Sequence, residues 1–106
     1  MELSDYQREA RKTAIYPKKS KIGAVSYLTM GLTGEAGEFA NKVKKVIRDG
    51  TDFDKAMVDE LGDVLWYLSQ LAEELGTDLD SIAAANLEKL RKRYESGKIS
   101  GSGDYR

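Results

Sequence analysis

Four carboxylate side chains occur as two pairs with the same spacing. The first pair is Glu35 and Glu38, and the second pair is Glu60 and Asp63. Residues that are three apart on a helix lie on the same face, with Cβ atoms about 5–6 Å from each other. Each pair is therefore either an ordinary water-exposed acidic surface or one half of a site for a divalent cation.

The distance of each pair from a common turn favours the cation site. Gly50 lies twelve residues after Glu38 and ten residues before Glu60. At about 1.5 Å per helical residue, the two pairs lie about 18 Å and 15 Å from that turn. If the two helices pack as antiparallel neighbours, the carboxylates meet at nearly the same height and repel one another unless a hard cation is bound. Ligation by oxygen alone indicates Mg²⁺, with Mn²⁺ as a substitute, rather than zinc.

The alternative is that the pairs arise by chance in a chain with 18 acidic residues. Two features argue for a site. At about 100° per residue, Glu35 and Glu60 both fall at the edge of the apolar stripe of their helix rather than opposite it. Four glycines lie in the same helices, and each costs about 1 kcal/mol relative to Ala; they are Gly31, Gly34, Gly37 and Gly62. We interpret these glycines as places where another group approaches the backbone.

The elements that must position these acids are helices. The apolar spacing predicts an all-α four-helix bundle with antiparallel neighbours and short loops. We expect helices from Ser4, as the cap, to about Tyr16; from about Ile22 to Arg48; from Thr51 or Asp52 to Leu75; and from about Leu79 to Glu95, with Thr77 or Asp78 as the cap. Residues 1–96 form the predicted helical domain, and residues 97–106 form a Gly/Ser-rich tail.

Trp66 lies nearly opposite the centre of the apolar arc of the third predicted helix. We therefore expect a single chain to expose it and a subunit interface to bury it. Burying a second face stabilises bundles of this size, so an oligomer is predicted.

Composition limits the function classes. The net charge is −1, from 17 basic and 18 acidic residues, so the chain has no general attraction to nucleic acid or anionic membranes. Without cysteine or histidine there is no thiolate chemistry, and the Glu-x-x-His ligands of di-iron bundles cannot occur. No apolar run approaches the roughly 20 residues of a membrane span. We expect a soluble, cytoplasmic protein with a small-molecule ligand.

Basic residues near the acids could bind an anionic substrate. Lys42 lies four residues after Glu38, which suits either a salt bridge or phosphate binding. On the fourth helix, one polar strip holds Asn86, Lys89 and Arg93, which form either a solvated face or a cationic wall for a polyphosphate. The tail is either a solvated end or a glycine-rich segment that closes over an anion with the help of Arg106.

Two motifs together resemble a known family. The sequence "GEAGE" at residues 34–38 is followed after 21 residues by "ELGDVLWYL" at residues 60–68. This pattern resembles the MazG-like nucleotide pyrophosphohydrolases, an all-α superfamily, and the likeness covers about residues 20–95. It implies that Glu35, Glu38, Glu60 and Asp63 hold Mg²⁺ and catalyse hydrolysis of a (d)NTP to the monophosphate and pyrophosphate. Some relatives carry another glutamate where this chain has Gly34, which leaves the number of metal ions open.

The resemblance also implies a homodimer or a dimer of dimers, with the fourth helix and the tail contributing to the nucleotide site. The rival hypothesis is a non-catalytic helical module that binds a nucleotide or a protein partner in the same groove. Tyr16, Tyr27, Tyr67 and Tyr94 could each stack on a base, so the sequence does not select one.

Overall fold

The computed structural model describes residues 1–97, which form four α-helices and no strand. The helices are α1 (Leu3–Arg11), α2 (Lys21–Asp49), α3 (Lys55–Glu74) and α4 (Leu79–Glu95). The predicted all-α class with four helices is confirmed. No helix in this part of the chain is both long enough and apolar enough to cross a membrane.

Side-chain caps and glycines set most of the helix ends. The Ser20 side chain accepts a hydrogen bond from the Gly23 N–H at the start of α2, and Asp78 accepts one from Ser81 at the start of α4. Gly50 ends α2 with φ of 67°, in the left-handed region that costs glycine little. The prediction of Asp78 as a cap and Gly50 as a stop is confirmed.

Two predicted caps are wrong. Helix α1 begins after Glu2, whose N–H donates to the Asp5 carboxylate at 3.2 Å, so Ser4 lies inside the helix. Helix α3 begins after Asp54, rather than after Thr51 or Asp52, and the Asp54 side chain accepts from the Met57 N–H at 3.1 Å. Three residues that could cap a helix precede α3, namely Thr51, Asp52 and Asp54. Asp54 is the cap, and it lies about one turn before the buried Met57.

The predicted extension of α1 to Tyr16 is also wrong, because α1 ends at Arg11. The Thr13 hydroxyl donates to the Ala10 carbonyl at 2.7 Å, which satisfies an acceptor of the last turn from outside the helix. The chain then turns so that Tyr16 is buried against Ala24 and Leu28 of α2. Burial of this aromatic ring outweighs the helical tendency of residues 12–16.

Helix α3 lies at the centre of the arrangement. Helix α2 packs along it as the other arm of a hairpin, and α1 and α4 contact α3 and each other. Within residues 1–97, α2 makes no helix contact with α1 or α4. The acids on α2 and α3 are therefore brought together by the hairpin alone.

Trp66 is not exposed as the sequence predicted. It is half-buried and packs against the core of Tyr16, Ala24 and Leu28. The segment between α1 and α2 returns along this side of α3, so a single chain already covers the ring.

A polar network joins α1 to the second half of α3. Arg11 donates to the Tyr16 hydroxyl at 2.6 Å and to the Gln70 carbonyl oxygen at 2.9 Å. Arg11 also pairs with Glu74 at 3.4 Å, and the Tyr16 hydroxyl donates to the same carboxylate. Gln70 is fully buried. The buried polar groups here are satisfied within the chain, as stability requires.

Gln7 makes a second connection between distant parts of the chain. Its side-chain amide donates to Glu73 at 3.1 Å and to the Thr77 carbonyl at 3.3 Å. Its carbonyl oxygen accepts from the Leu79 N–H at 2.8 Å, which satisfies a donor in the first turn of α4. Helix α1 thus supports the start of α4.

Large apolar side chains on all four helices remain open to solvent in the single chain. Examples are Leu61 (51% exposed) and Leu68 (41%) on α3 and Leu87 (66%) on α4. Residues of this type are normally buried, and where exposed ones adjoin one another they mark an interaction surface.

Candidate metal centre and adjoining cleft

The hairpin brings three of the four predicted acids together. One carboxylate oxygen from each of Glu35, Glu60 and Asp63 lies within 4.8 Å of the others. Glu35 comes from the middle of α2, and the other two come from the first half of α3. The antiparallel pairing expected from the position of Gly50 accounts for this convergence.

The carboxylates repel one another strongly. The pKa of Glu35 is raised to about 7, first by a hydrogen bond shared with Glu60, then by burial and by the charges of Asp63, Glu60 and Glu38. Every one of these causes raises the pKa of Glu35, and no basic side chain contributes. Such a group can hold a proton or a cation near neutral pH.

An unsatisfied atom marks the same place. Glu60 Oε2 is buried and, with both carboxylates ionised, has no hydrogen-bond partner among residues 1–97. A buried acceptor without a partner costs about 1–3 kcal/mol, or more when it is charged. Three carboxylate oxygens within 4.8 Å of one another are the type of ligand that Mg²⁺ and other hard divalent cations take. The three carboxylates therefore fit a hard divalent cation.

Glu38 lies outside this close group. It is exposed on α2, one turn from Glu35, and its charge still raises the pKa of Glu35. Its assignment as a fourth ligand stays a prediction. Lys42 is half-buried and forms no ion pair with Glu38 within the described residues, so the salt bridge offered as the alternative is not made.

A cleft of about 380 Å³ opens beside the acids. It is lined by the acids Glu35 and Asp63 and by Thr13, Trp66 and Tyr67. The Trp66 indole N–H donates to Thr13 Oγ1 at 2.8 Å. No sequence pattern indicated a role for Thr13, because a threonine just beyond a helix has no distinctive pattern. Trp66 did have a signal, because it lies within the motif "ELGDVLWYL". Its helical position alone wrongly predicted that a single chain would expose it.

The glycines have two different environments. A Cβ atom on Gly31 would lie 2.1 Å from Tyr67 Cε1, so the tyrosine ring rests directly on the α2 backbone. The expected close approach is therefore confirmed at Gly31. At Gly34, Gly37 and Gly62 a Cβ would meet no atom within 4 Å, so nothing in the described chain approaches them.

The remaining predicted substrate contacts are not tested by this geometry. Asn86, Lys89 and Arg93 lie on α4, which makes no helix contact with α2 within residues 1–97. Arg106 and the tail beyond Gly97 lie outside the described residues. Their roles in substrate binding stay predictions.

Comparison with known proteins agrees with the acidic motif. Residues 24–97 match the model of the MazG nucleotide pyrophosphohydrolase domain. "Gene 37 protein" of Mycobacterium phage L5 is 48% identical over an alignment of 114 positions that covers 100% of both chains. "Uncharacterized protein YvdC" of Bacillus subtilis (strain 168) is 29% identical over 106 positions, covering 90% of this chain and 98% of that protein. No solved structure matches the chain. Because the domain match spans well over half of its length, the chain belongs to the MazG nucleotide pyrophosphohydrolase family.

Proposed function

We propose that this protein is a Mg²⁺-dependent pyrophosphohydrolase that converts a (d)NTP to the (d)NMP and pyrophosphate. The observation that carries the proposal is the group of Glu35, Glu60 and Asp63, with Glu60 Oε2 buried and unpartnered. Family membership supports the reaction class, and the adjoining cleft supports a small-molecule substrate.

In the proposed reaction, the chain's carboxylates hold Mg²⁺ and orient the triphosphate. Glu35, Glu60 and Asp63 would hold the ion, and Glu38, which is exposed one turn from Glu35, would be a fourth ligand. Bound Mg²⁺ supplies electrostatic stabilisation of the phosphate charge.

The carboxylates also handle the proton in this scheme. Water attacks phosphorus, the bond between the α- and β-phosphates breaks, and its electron pair leaves with pyrophosphate. One of the four carboxylates accepts the proton that the water loses. Lys42, Asn86, Lys89, Arg93 and Arg106 are the proposed phosphate contacts.

A substrate panel tests the proposal. Canonical and modified NTPs and dNTPs are incubated with Mg²⁺ or Mn²⁺, and monophosphate and pyrophosphate are measured. Turnover should require the metal and should be lost in Glu38→Gln and in Asp63→Asn. Near-full activity in both variants would refute the site assignment.

Metal binding separates the enzyme from a non-catalytic module. Millimolar Mg²⁺ should raise the melting temperature of the parent protein by mass action, and should raise it less in Asp63→Asn. Nucleotide binding without Mg²⁺ dependence and without hydrolysis would favour the module.

We further propose that the working unit is a homodimer or a dimer of dimers. The exposed apolar surface on α3 and α4 supports a second copy of the chain as its cover. Sedimentation at micromolar concentration should show a dimer or tetramer, and Leu87→Glu on α4 should shift it toward monomer. Ile15→Glu is the matched control, because Ile15 is 94% exposed but lies in the α1–α2 connection. A monomeric parent protein would contradict this proposal.

A further inference from the structure

The cleft that holds Glu35 and Asp63 is also lined by two aromatic rings, those of Trp66 and Tyr67. We propose that Trp66 is the wall of a nucleobase subsite and that Thr13 is a positioning residue that fixes its indole ring. This inference rests on the proposed function and assigns the phosphates of the nucleotide to the acids and its base to the aromatic part of the same cleft.

The hydrogen-bond directions show how Thr13 acts. Thr13 Oγ1 donates its only proton to the Ala10 carbonyl at 2.7 Å. Its oxygen is therefore left to accept from the Trp66 indole N–H, which it does at 2.8 Å. Both polar hydrogens are used within the chain. Trp66 then offers the cleft only its aromatic surface, which suits stacking and not hydrogen bonding.

Two neighbouring rings hold the indole from other directions. The Tyr67 ring is perpendicular to it at 5.0 Å between centroids, and the Tyr16 ring is perpendicular at 6.3 Å. Neither tyrosine can easily move, since Tyr67 rests on Gly31 and Tyr16 is buried and bonded to Arg11 and Glu74. The wall is thus set before a ligand arrives, which lowers the entropic cost of binding.

The acids and the aromatic residues of the cleft match the two ends of a nucleotide. Glu35 and Asp63 need a cation, which the phosphates of a nucleotide bring or share. Every nucleobase has a π face, and stacking on an aromatic side chain is worth about 1–3 kcal/mol. Thr13 precedes the segment that matches the family domain, residues 24–97, so this wall depends on the chain's own N-terminal part.

Fluorescence tests the wall directly, because Trp66 is the only tryptophan in the sequence. The protein is titrated, with Mg²⁺, with α,β-imido analogues of dATP and dUTP and separately with tripolyphosphate, which has no base. The analogues should quench Trp66 emission, whereas tripolyphosphate should bind without that quenching. Equal quenching by tripolyphosphate would overturn the inference. So would the absence of quenching by either analogue while the parent nucleotides are hydrolysed. Either result would leave the proposed function standing.

Variants at Thr13 test the positioning role. Thr13→Val keeps the shape of the side chain but removes the hydrogen-bond acceptor. It should raise KM for nucleotides about tenfold, which corresponds to the loss of one hydrogen bond between uncharged groups. Tripolyphosphate affinity should not change, and Thr13→Ser should restore the parent KM.

Thr29→Val is the control for the loss of a hydroxyl. Its hydroxyl also donates to a carbonyl one turn back, that of Val25 at 2.7 Å, but Thr29 does not line the cleft. A Thr13→Val protein that weakens tripolyphosphate and nucleotide equally, or that behaves like Thr29→Val, would overturn the inference. If neither nucleotide analogue binds and no nucleotide is hydrolysed, the proposed function fails and takes this subsite with it.

Discussion

Helix α3 carries two pairs of acidic residues, one in each half of the helix. Within residues 1–97, the rest of the chain supplies an ion-pair partner to only one of these two groups. In the second half, Glu74 is paired with Arg11 and accepts from the Tyr16 hydroxyl, and Glu73 accepts from Gln7. In the first half, none of the ion pairs formed within residues 1–97 includes Glu60 or Asp63. Glu60, Glu73 and Glu74 are half-buried and Asp63 is exposed, and among these four only Glu74 is paired with a cation within the described residues.

The contrast teaches how to read carboxylates in a small domain. A carboxylate that holds the fold together has its cation and its donors in the same chain. A carboxylate that lacks them keeps a raised pKa or an unpartnered oxygen, and the missing charge has to come from outside. The group at Glu35 and Glu60 is of the second kind.

The largest expected effect comes from making the same Glu-to-Gln substitution separately in each of the two acidic groups of α3. Glu60→Gln should reduce turnover by at least about a hundredfold, since even indirect supports of metal ligands cost ten- to a hundredfold. Its stability without metal should be unchanged or higher, because repulsion is relieved. Initial rates and urea unfolding in EDTA measure both quantities. A Glu60→Gln protein that is fully active would remove the distinction between the groups.

The reciprocal change should act on stability alone. Glu74→Gln removes the negative charge that pairs with Arg11, and should lower the free energy of unfolding by about 1–2 kcal/mol. This loss is smaller than that expected for a fully buried ion pair, because Arg11 is partly exposed. Turnover below the melting temperature should match the parent protein. Loss of turnover without loss of stability would contradict the structural role.

A smaller effect follows from pH. The pKa of Glu35 is raised to about 7 in the folded protein, so the folded state holds a proton that the unfolded state releases. The stability from this group is complete below its ordinary pKa and is lost as the pH rises through about 7.

Melting in EDTA measures this effect. The melting temperature should fall by roughly a few degrees between pH 5.5 and pH 8. The fall should disappear in Glu35→Gln and should be reversed by saturating Mg²⁺. If the melting temperature of Glu35→Gln fell equally steeply with pH, the pH dependence would belong to other groups.

The smallest expected effect compares two glycines of α2. Gly37→Ala adds a methyl group in open space and should stabilise the chain by about 0.5–1 kcal/mol. Gly31→Ala has the same helical benefit but collides with Tyr67, so it should destabilise the chain and disturb the cleft. Thermal unfolding of the two variants measures the difference. Destabilisation by Gly37→Ala would instead place another chain against that face.

The sequence predicted the fold well because its signals were local. Apolar spacing, Gly50 and Asp78 predicted the helices, and the count of residues from Gly50 predicted that the acids would meet. What failed depended on contacts between distant parts of the chain. Helical position alone predicted an exposed Trp66, and nothing local revealed that the chain between α1 and α2 would pack against it, with Thr13 accepting from its indole N–H.

The long sequence separation of the Gln7 contacts has a consequence for the order of folding. The α2–α3 hairpin closes through neighbouring residues, whereas the bond from Leu79 to Gln7 spans 72 positions along the chain. Contacts of long separation form late, because a large loop must first be closed. An intermediate with the hairpin formed would already hold the three acids together but would lack Thr13 beside Trp66. Metal could therefore associate with the chain before the aromatic wall exists, and docking of α1 would be the step that completes the cleft.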